Sequence, residues 1–177
     1  MKRIRSTRAY EGRVIDVEVE RYRYDDGDTA EREVVVHPGA VAIVAHDDLH
    51  VHLVRQPREA VDDPALLELP AGKLDIEGES ELECAQRELA EEIGMRAGEW
   101  SELKRFYTSP GFAREQVTIF LATELERVGE HVPDPKERIE LVEWPLSRLD
   151  YAIDECEDSK TLIGLMLLRD LRRPDPW

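Results

Sequence analysis

The chain has 177 residues, 41% hydrophobic and 6% aromatic, with a formal charge of −16. That length can bury a sizeable core, while 40 Asp and Glu against 24 Lys and Arg argue against a nucleic-acid ligand, whose binding rests on neutralising phosphates. No apolar run is long enough to span a membrane, the opening MKRIRSTRAYEG lacks the apolar core of a signal peptide, and the two cysteines, Cys84 and Cys156, have no zinc-like or disulfide-framework spacing. A reducing cytoplasm is the expected compartment.

From Val14 to Tyr24, Ile15, Val17 and Val19 alternate with Asp16, Glu18 and Glu20, the pattern of a half-buried strand. DDGD at 25–28 is a turn signal, and Ala30 to Val36 returns as a second strand. Residues 1–38 therefore read as an N-terminal β-hairpin segment suited to contact with a partner subunit, and residues 39–177 as the main domain. Ala40 to Val44 and His50 to Val54 are short strands, and the proline-bearing stretch Arg55 to Ala65 is a loop. A helix follows Ser80. Ser80 is a good N-cap, Glu83 completes a capping box, and Gly94 supplies the stop. Leu82, Ala85, Leu89 and Ile93 recur at helical spacing as its apolar stripe. Leu103 to Tyr107 and Val117 to Leu121 read as strands around the loop TSPGFARE. The acidic stretch Glu124 to Arg138, with Pro133 and Pro135, is a loop. Ile139 to Trp144 is a strand, Leu146 to Ile153 a short helix, and Ser159 the cap of a last, largely buried helix. Strands and helices interleave without strict βαβ alternation, which favours a mixed sheet between helices in an α/β (α+β) fold.

The chemistry concentrates on the helix after Ser80. Glu88 and Glu92 are four residues apart and share one face, with Glu91 beside them. Like charges at that spacing cost a few tenths of a kcal/mol in an isolated helix, and a cation between them reverses the sign. Hard ions such as Mg²⁺ take oxygen ligands, often one or two carboxylates plus substrate phosphates. Arg87 is one turn from Glu91 and can orient a carboxylate. Glycines at both ends of the loop Gly72 to Gly78 let its backbone approach the same face. A Glu-rich helix on an acidic protein is, taken alone, more often a solvated face.

The run is not alone. Gly72, Glu79, Arg87, Glu88, Leu89, Glu91, Glu92, Gly94 and Met95 fill the specified positions of the Nudix box, so the chain resembles the Nudix hydrolases. One departure is that six residues, not five, separate Gly72 from Glu79. The insertion falls in a loop, where added length is cheap. The resemblance implies an α/β/α sandwich, Mg²⁺ (or Mn²⁺) held by Glu88 and Glu92 with Glu91 close by and the Ala71 carbonyl joining them, and hydrolysis of a nucleoside diphosphate linked to a further group.

Four further stretches, in order, resemble the ADP-ribose pyrophosphatase branch: REVVVHPGAV leading to LVRQPR, LLELPAGKLD, TSPGF with Pro110 fifteen residues beyond the box, and DSKTLIGL. That resemblance implies hydrolysis of ADP-ribose to AMP and ribose 5-phosphate by a homodimer. It places Arg32 and Glu33 against the ADP-ribose and Arg58 on its phosphates, for which a guanidinium fork is suited. Pro110 and Gly111 shape the adenine or ribose side. It assigns the general base to a glutamate outside the box, Glu137, with Glu115 and Glu91 as alternatives; Glu140 reads as a strand residue. A hydrolase for another nucleotide sugar, such as GDP-mannose, and a non-catalytic Nudix-fold regulator stay open as rivals.

Overall fold

The computed structural model describes residues 1–128 and 138–173. The chain divides into two compact units, one made of Met1–Gly39 with Phe106–Gln116 and the other of Ala40–Arg105 with Val117–Trp177.

The first unit is a three-stranded antiparallel sheet in the order β1 (Lys2–Glu11), β2 (Asp16–Arg23), β3 (Thr29–Val36). The expected hairpin is β2 and β3. The strand before it was not foreseen, because KRIRSTRAYE carries charge at nearly every second position and every one of its residues is exposed. The alternation expected for β2 also fails in detail. Val17 and Val19 are only half-buried, and the fully buried residue is Glu20. Beyond β3, the Val35 N–H donates to the Phe112 carbonyl at 2.8 Å and the Arg114 N–H to the Val35 carbonyl at 2.8 Å. The TSPGFARE segment is thereby stitched to the sheet.

In the second unit, β4 (Ala40–His46) is the central strand, and Val41 to Ala45 are fully buried. A strand buried on both faces loses the polar alternation of an edge strand, and AVAIVA has none. It runs parallel to β9 (Gln116–Arg127) and antiparallel to β5 (His50–Arg58) and β7 (Ala71–Lys73). With β6 (Asp63–Glu68), β8 (Met95–Tyr107) and β10 (Glu140–Pro145) it forms a mixed seven-stranded sheet in the order β10-β5-β4-β9-β8, β6 pairing with β5 and β7 with β4. The stretch expected as a loop from Arg55 to Ala65 is mostly strand. The β5 strand continues to Arg58, and β6 pairs back across it through a bulge. Pairing with a neighbour has overridden the polar composition.

Helices cover both faces. The α1 helix (Glu81–Ile93) packs Cys84, Ala85, Leu89 and Ile93 against Val41, Ile43 and Ala45. Leu82, expected in that stripe, is 38% exposed, and Cys84 occupies the buried position instead. On the other face lies α3 (Ser159–Arg172), after the short α2 (Leu149–Glu155). A Cβ on Gly164 of α3 would stand 2.5 Å from Leu69 Cδ1 and 3.0 Å from Val44 Cγ2, so glycine is what permits this close approach. The N-cap of α3 is Asp158, not Ser159, and its side chain accepts from the Thr161 N–H. The result is an α/β/α sandwich.

Candidate active site

The capping box of α1 is complete in both directions. Ser80 Oγ accepts from the Glu83 N–H and the Glu83 carboxylate from the Ser80 N–H, and Gly94 closes the helix in the left-handed conformation at φ 66°. These ends fix the register that puts the acidic residues on one side. Arg87 organises them. Its Nε and Nη2 grip both oxygens of Glu79 at 2.8 and 3.0 Å, and its Nη1 reaches Glu88 at 2.7 Å and Glu91 at 2.9 Å. A guanidinium can serve three carboxylates because its five donors lie in one plane. The hydrogen bond from Arg87 holds the Glu79 carboxyl below its ordinary pKa, and the same bond raises Arg87.

Glu92 faces the strand side of this cluster. It is 7% exposed, and its Oε2 accepts from the Ala71 N–H at 3.0 Å. Gly72 has no room for a side chain: a Cβ there would lie 2.1 Å from the Glu88 carboxylate. The loop thus brings its backbone against both carboxylates, as the glycines suggest. Cys84 lies beneath, its Sγ 3.5 Å from the Lys73 carbonyl and from Arg87 Nη2. Burial pushes its pKa up to about 12, so it is an inert thiol.

Arg58 belongs to a second polar group in the same unit. Its Nε and Nη2 bind both oxygens of Glu68, at 2.5 and 2.8 Å. Lys160 Nζ joins at 2.5 Å to the same Glu68 Oε2 and at 3.0 Å to Asp158. Glu68 is fully buried. Burial works to raise its pKa, but the bonds from Arg58 and Lys160 outweigh it and the carboxyl is held below its ordinary value. Neither Glu68 nor Lys160 was expected at the site. Their only signal is that LLELPAG and DSKT recur as branch motifs, which gives their roles no physical content.

In the other unit, Arg32, Pro110 and Gly111 line one pocket of about 370 Å³ together with Tyr22, Tyr24 and Phe112. Glu33, on the neighbouring position of β3, is exposed and does not line it. The wall is held by Glu20, which accepts from Arg3, Tyr22 and Arg114, the last at 2.8 Å. Glu115 accepts from Thr108 Oγ1 at 2.8 Å. Glu140 is in β10 opposite Arg55, as expected of a strand residue. Glu137 lies outside the described residues.

The arrangement gathers five of the expected residues, Ala71, Arg87, Glu88, Glu91 and Glu92, around one helix face. Residues 35–158 match the NUDIX domain. The chain belongs to the Nudix family. It is 38% identical over 172 residues to an ADP-ribose pyrophosphatase of Bacillus subtilis, covering 95% of this chain and 92% of that protein. It is 35% identical over 172 residues to a methanol dehydrogenase activator of Bacillus methanolicus, again covering 95% and 92%. A crystal structure of an ADP compounds hydrolase superposes with a TM-score of 0.82 at 25% identity, over 96% of this chain and 92% of that one.

Proposed function

We propose that this Nudix protein is a metal-dependent hydrolase that splits the pyrophosphate of ADP-ribose into AMP and ribose 5-phosphate. The observation that carries the reading is the α1 carboxylate face, with Glu88 and Glu92 drawn against the loop backbone at Ala71 and Gly72 and Glu79, Glu88 and Glu91 tied to Arg87. The ADP-ribose pyrophosphatase of B. subtilis, alike over nearly its whole length, supports the substrate.

The donor set fits a hard divalent cation, Mg²⁺ or Mn²⁺. Two adjacent carboxylates on one face face a backbone that glycine has brought close, and all the donors are oxygens. When bound, such an ion polarises the phosphoryl oxygens and lowers the pKa of a water. Glu88, Glu92 and the Ala71 carbonyl would hold it, with Glu91 close by. Arg87 keeps Glu91 and Glu79 oriented and offsets part of the local negative charge. Glu137 is assigned the general base that takes the water's proton. Arg58 meets the phosphates through its guanidinium. The aromatic pocket of the first unit, with Arg32, Pro110 and Gly111, is suited to a flat base by stacking on Tyr and Phe, and Arg32 and Glu33 are assigned to contact with the ADP-ribose.

The methanol dehydrogenase activator among the relatives favours one rival, a non-catalytic Nudix-fold ligand-binding regulator. A panel of nucleotide sugars with Mg²⁺ separates the readings. ADP-ribose should be turned over fastest. Faster turnover of GDP-mannose would reject the substrate and keep the chemistry, and tight binding of ADP-ribose without turnover would favour the regulator.

A further inference from the structure

The Arg58–Glu68–Lys160 group is built more elaborately than folding requires. Glu68 ends β6, Arg58 ends β5, and Lys160 stands in the first turn of α3, 92 residues further along the chain from Glu68. The helix is already docked without them: the Leu69 N–H donates to Thr161 Oγ1 at 2.7 Å, and Gly164 sits against Leu69 and Val44. A cation in a helix's first turn opposes the helix dipole. Buried ion pairs are also weak contributors to stability, because desolvation offsets their attraction. A pair that adds little to stability, placed where the helix disfavours it, calls for another purpose.

The geometry of Arg58 supplies one. Glu68 engages the Nε and Nη2 edge as a parallel fork, which fixes the plane of the guanidinium as well as its position. Nη1 lies outside that fork, and the side chain is 42% exposed. Glu68, the anchor of that fork, stands three residues before Ala71, whose N–H bonds Glu92 at 3.0 Å, so one short stretch of chain joins the anchored guanidinium to the α1 carboxylate face. Lys160 occupies the second side of Glu68 and is only 15% exposed. It keeps Glu68 ionised and leaves it no freedom to swing away from Arg58.

We propose that Glu68 and Lys160 are positioning residues, holding Arg58 in one plane so that its free edge meets the substrate's pyrophosphate. The proposal rests on the hydrolase reading above. Fixing a donor before substrate arrives avoids the entropy loss of ordering a long, rotamer-rich side chain during the reaction. Neither Glu68 nor Lys160 touches the substrate. Each acts through Arg58.

The test is a double-mutant cycle on ADP-ribose hydrolysis with Mg²⁺. Arg58→Ala should lower kcat/KM by roughly 10²–10³, the usual worth of a pre-placed donor. Glu68→Gln should lower it by roughly 10–100-fold, as loss of an orienting partner does. In the Arg58→Ala background, Glu68→Gln should change kcat/KM by no more than about threefold, because residues acting through one group are not additive. Added guanidinium at low concentration should restore part of the Arg58→Ala activity, and should do so much less in the double variant. If Glu68→Gln alone does not fold, Glu68→Gln with Lys160→Met, which removes the unpaired cation as well, takes its place. Equal losses from the Glu68 change with and without Arg58, or equal rescue in both backgrounds, would overturn the proposal and leave the group a structural tie. If the wild type turns over another nucleotide sugar and not ADP-ribose, the substrate reading falls and the cycle is decided on that sugar. If it turns over none, both fall.

Discussion

The roles proposed for Glu92 and Glu137, metal ligand and general base, differ, and substitution separates them. Glu92→Gln keeps the size and helix propensity of the side chain, and the amide still offers an oxygen to the Ala71 N–H, which now bonds Glu92 at 3.0 Å. The variant should fold, need far more Mg²⁺, and lose orders of magnitude in kcat. A near wild-type rate at low Mg²⁺ would remove Glu92 from the ligand set. Glu137→Gln should instead lower kcat by roughly 10²–10⁴, the range for a general base, with KM little changed, while Glu140→Gln does much less. Equal small losses at both would return the role to Glu91 or Glu115. The α1 acids were legible in the sequence because helical spacing alone puts Glu88 and Glu92 on one face and Arg87 within reach of Glu91. Glu68, Lys160 and Glu20 were not. A buried carboxylate looks like any strand-end glutamate until the distant cations that neutralise it are brought to it. Those cations lie 92 and 94 residues away, for Lys160 and Arg114 respectively.

Strand β2 shows the same limit in an element. Its alternating pattern was visible, but which face is buried depends on partners, and the buried position belongs to Glu20. Burial works to raise that carboxyl, yet the bonds from Tyr22, Arg114 and Arg3 outweigh it and lower the pKa to about 2, from an ordinary 4.5. A carboxyl whose folded pKa lies below its unfolded one stabilises the fold fully above the unfolded value and loses that contribution as pH falls through the folded one. The stabilisation from Glu20 is therefore complete near neutrality and drains away between about pH 5 and pH 2. The difference in Tm between wild type and Glu20→Gln should be largest above pH 5 and shrink as pH falls towards 3. A constant difference across that range would show that the Glu20 charge is not what matters. By contrast, both helix ends of α1 could be read directly, because Ser80, Glu83 and Gly94 act through local hydrogen bonds. The N-cap of α3 was misplaced by one residue: Asp158 and Ser159 both suit the position, and Asp158 takes it while also binding Thr161 Oγ1.

The second unit has a dense two-faced core around β4. In the first, no apolar residue of its three strands is fully buried, and β1 is exposed along its whole length. A sheet with so little core is marginal alone, which supports a homodimer in which residues 1–38 pack on a second copy. Sedimentation should show a dimer at assay concentrations, and a fully active monomer there would reject it. An acidic chain of charge −16 repels anionic substrates at long range, so the proposed turnover relies on a bound cation and on fixed guanidinium groups near the α1 face. That dependence makes the bond cleaved the sharpest test. ³¹P NMR of ADP-ribose incubated with the protein should show AMP and ribose 5-phosphate growing together in equal amounts, only when Mg²⁺ or Mn²⁺ is present and not after chelation by EDTA. Release of ADP with free ribose, or cleavage that continues unchanged in EDTA, would contradict it.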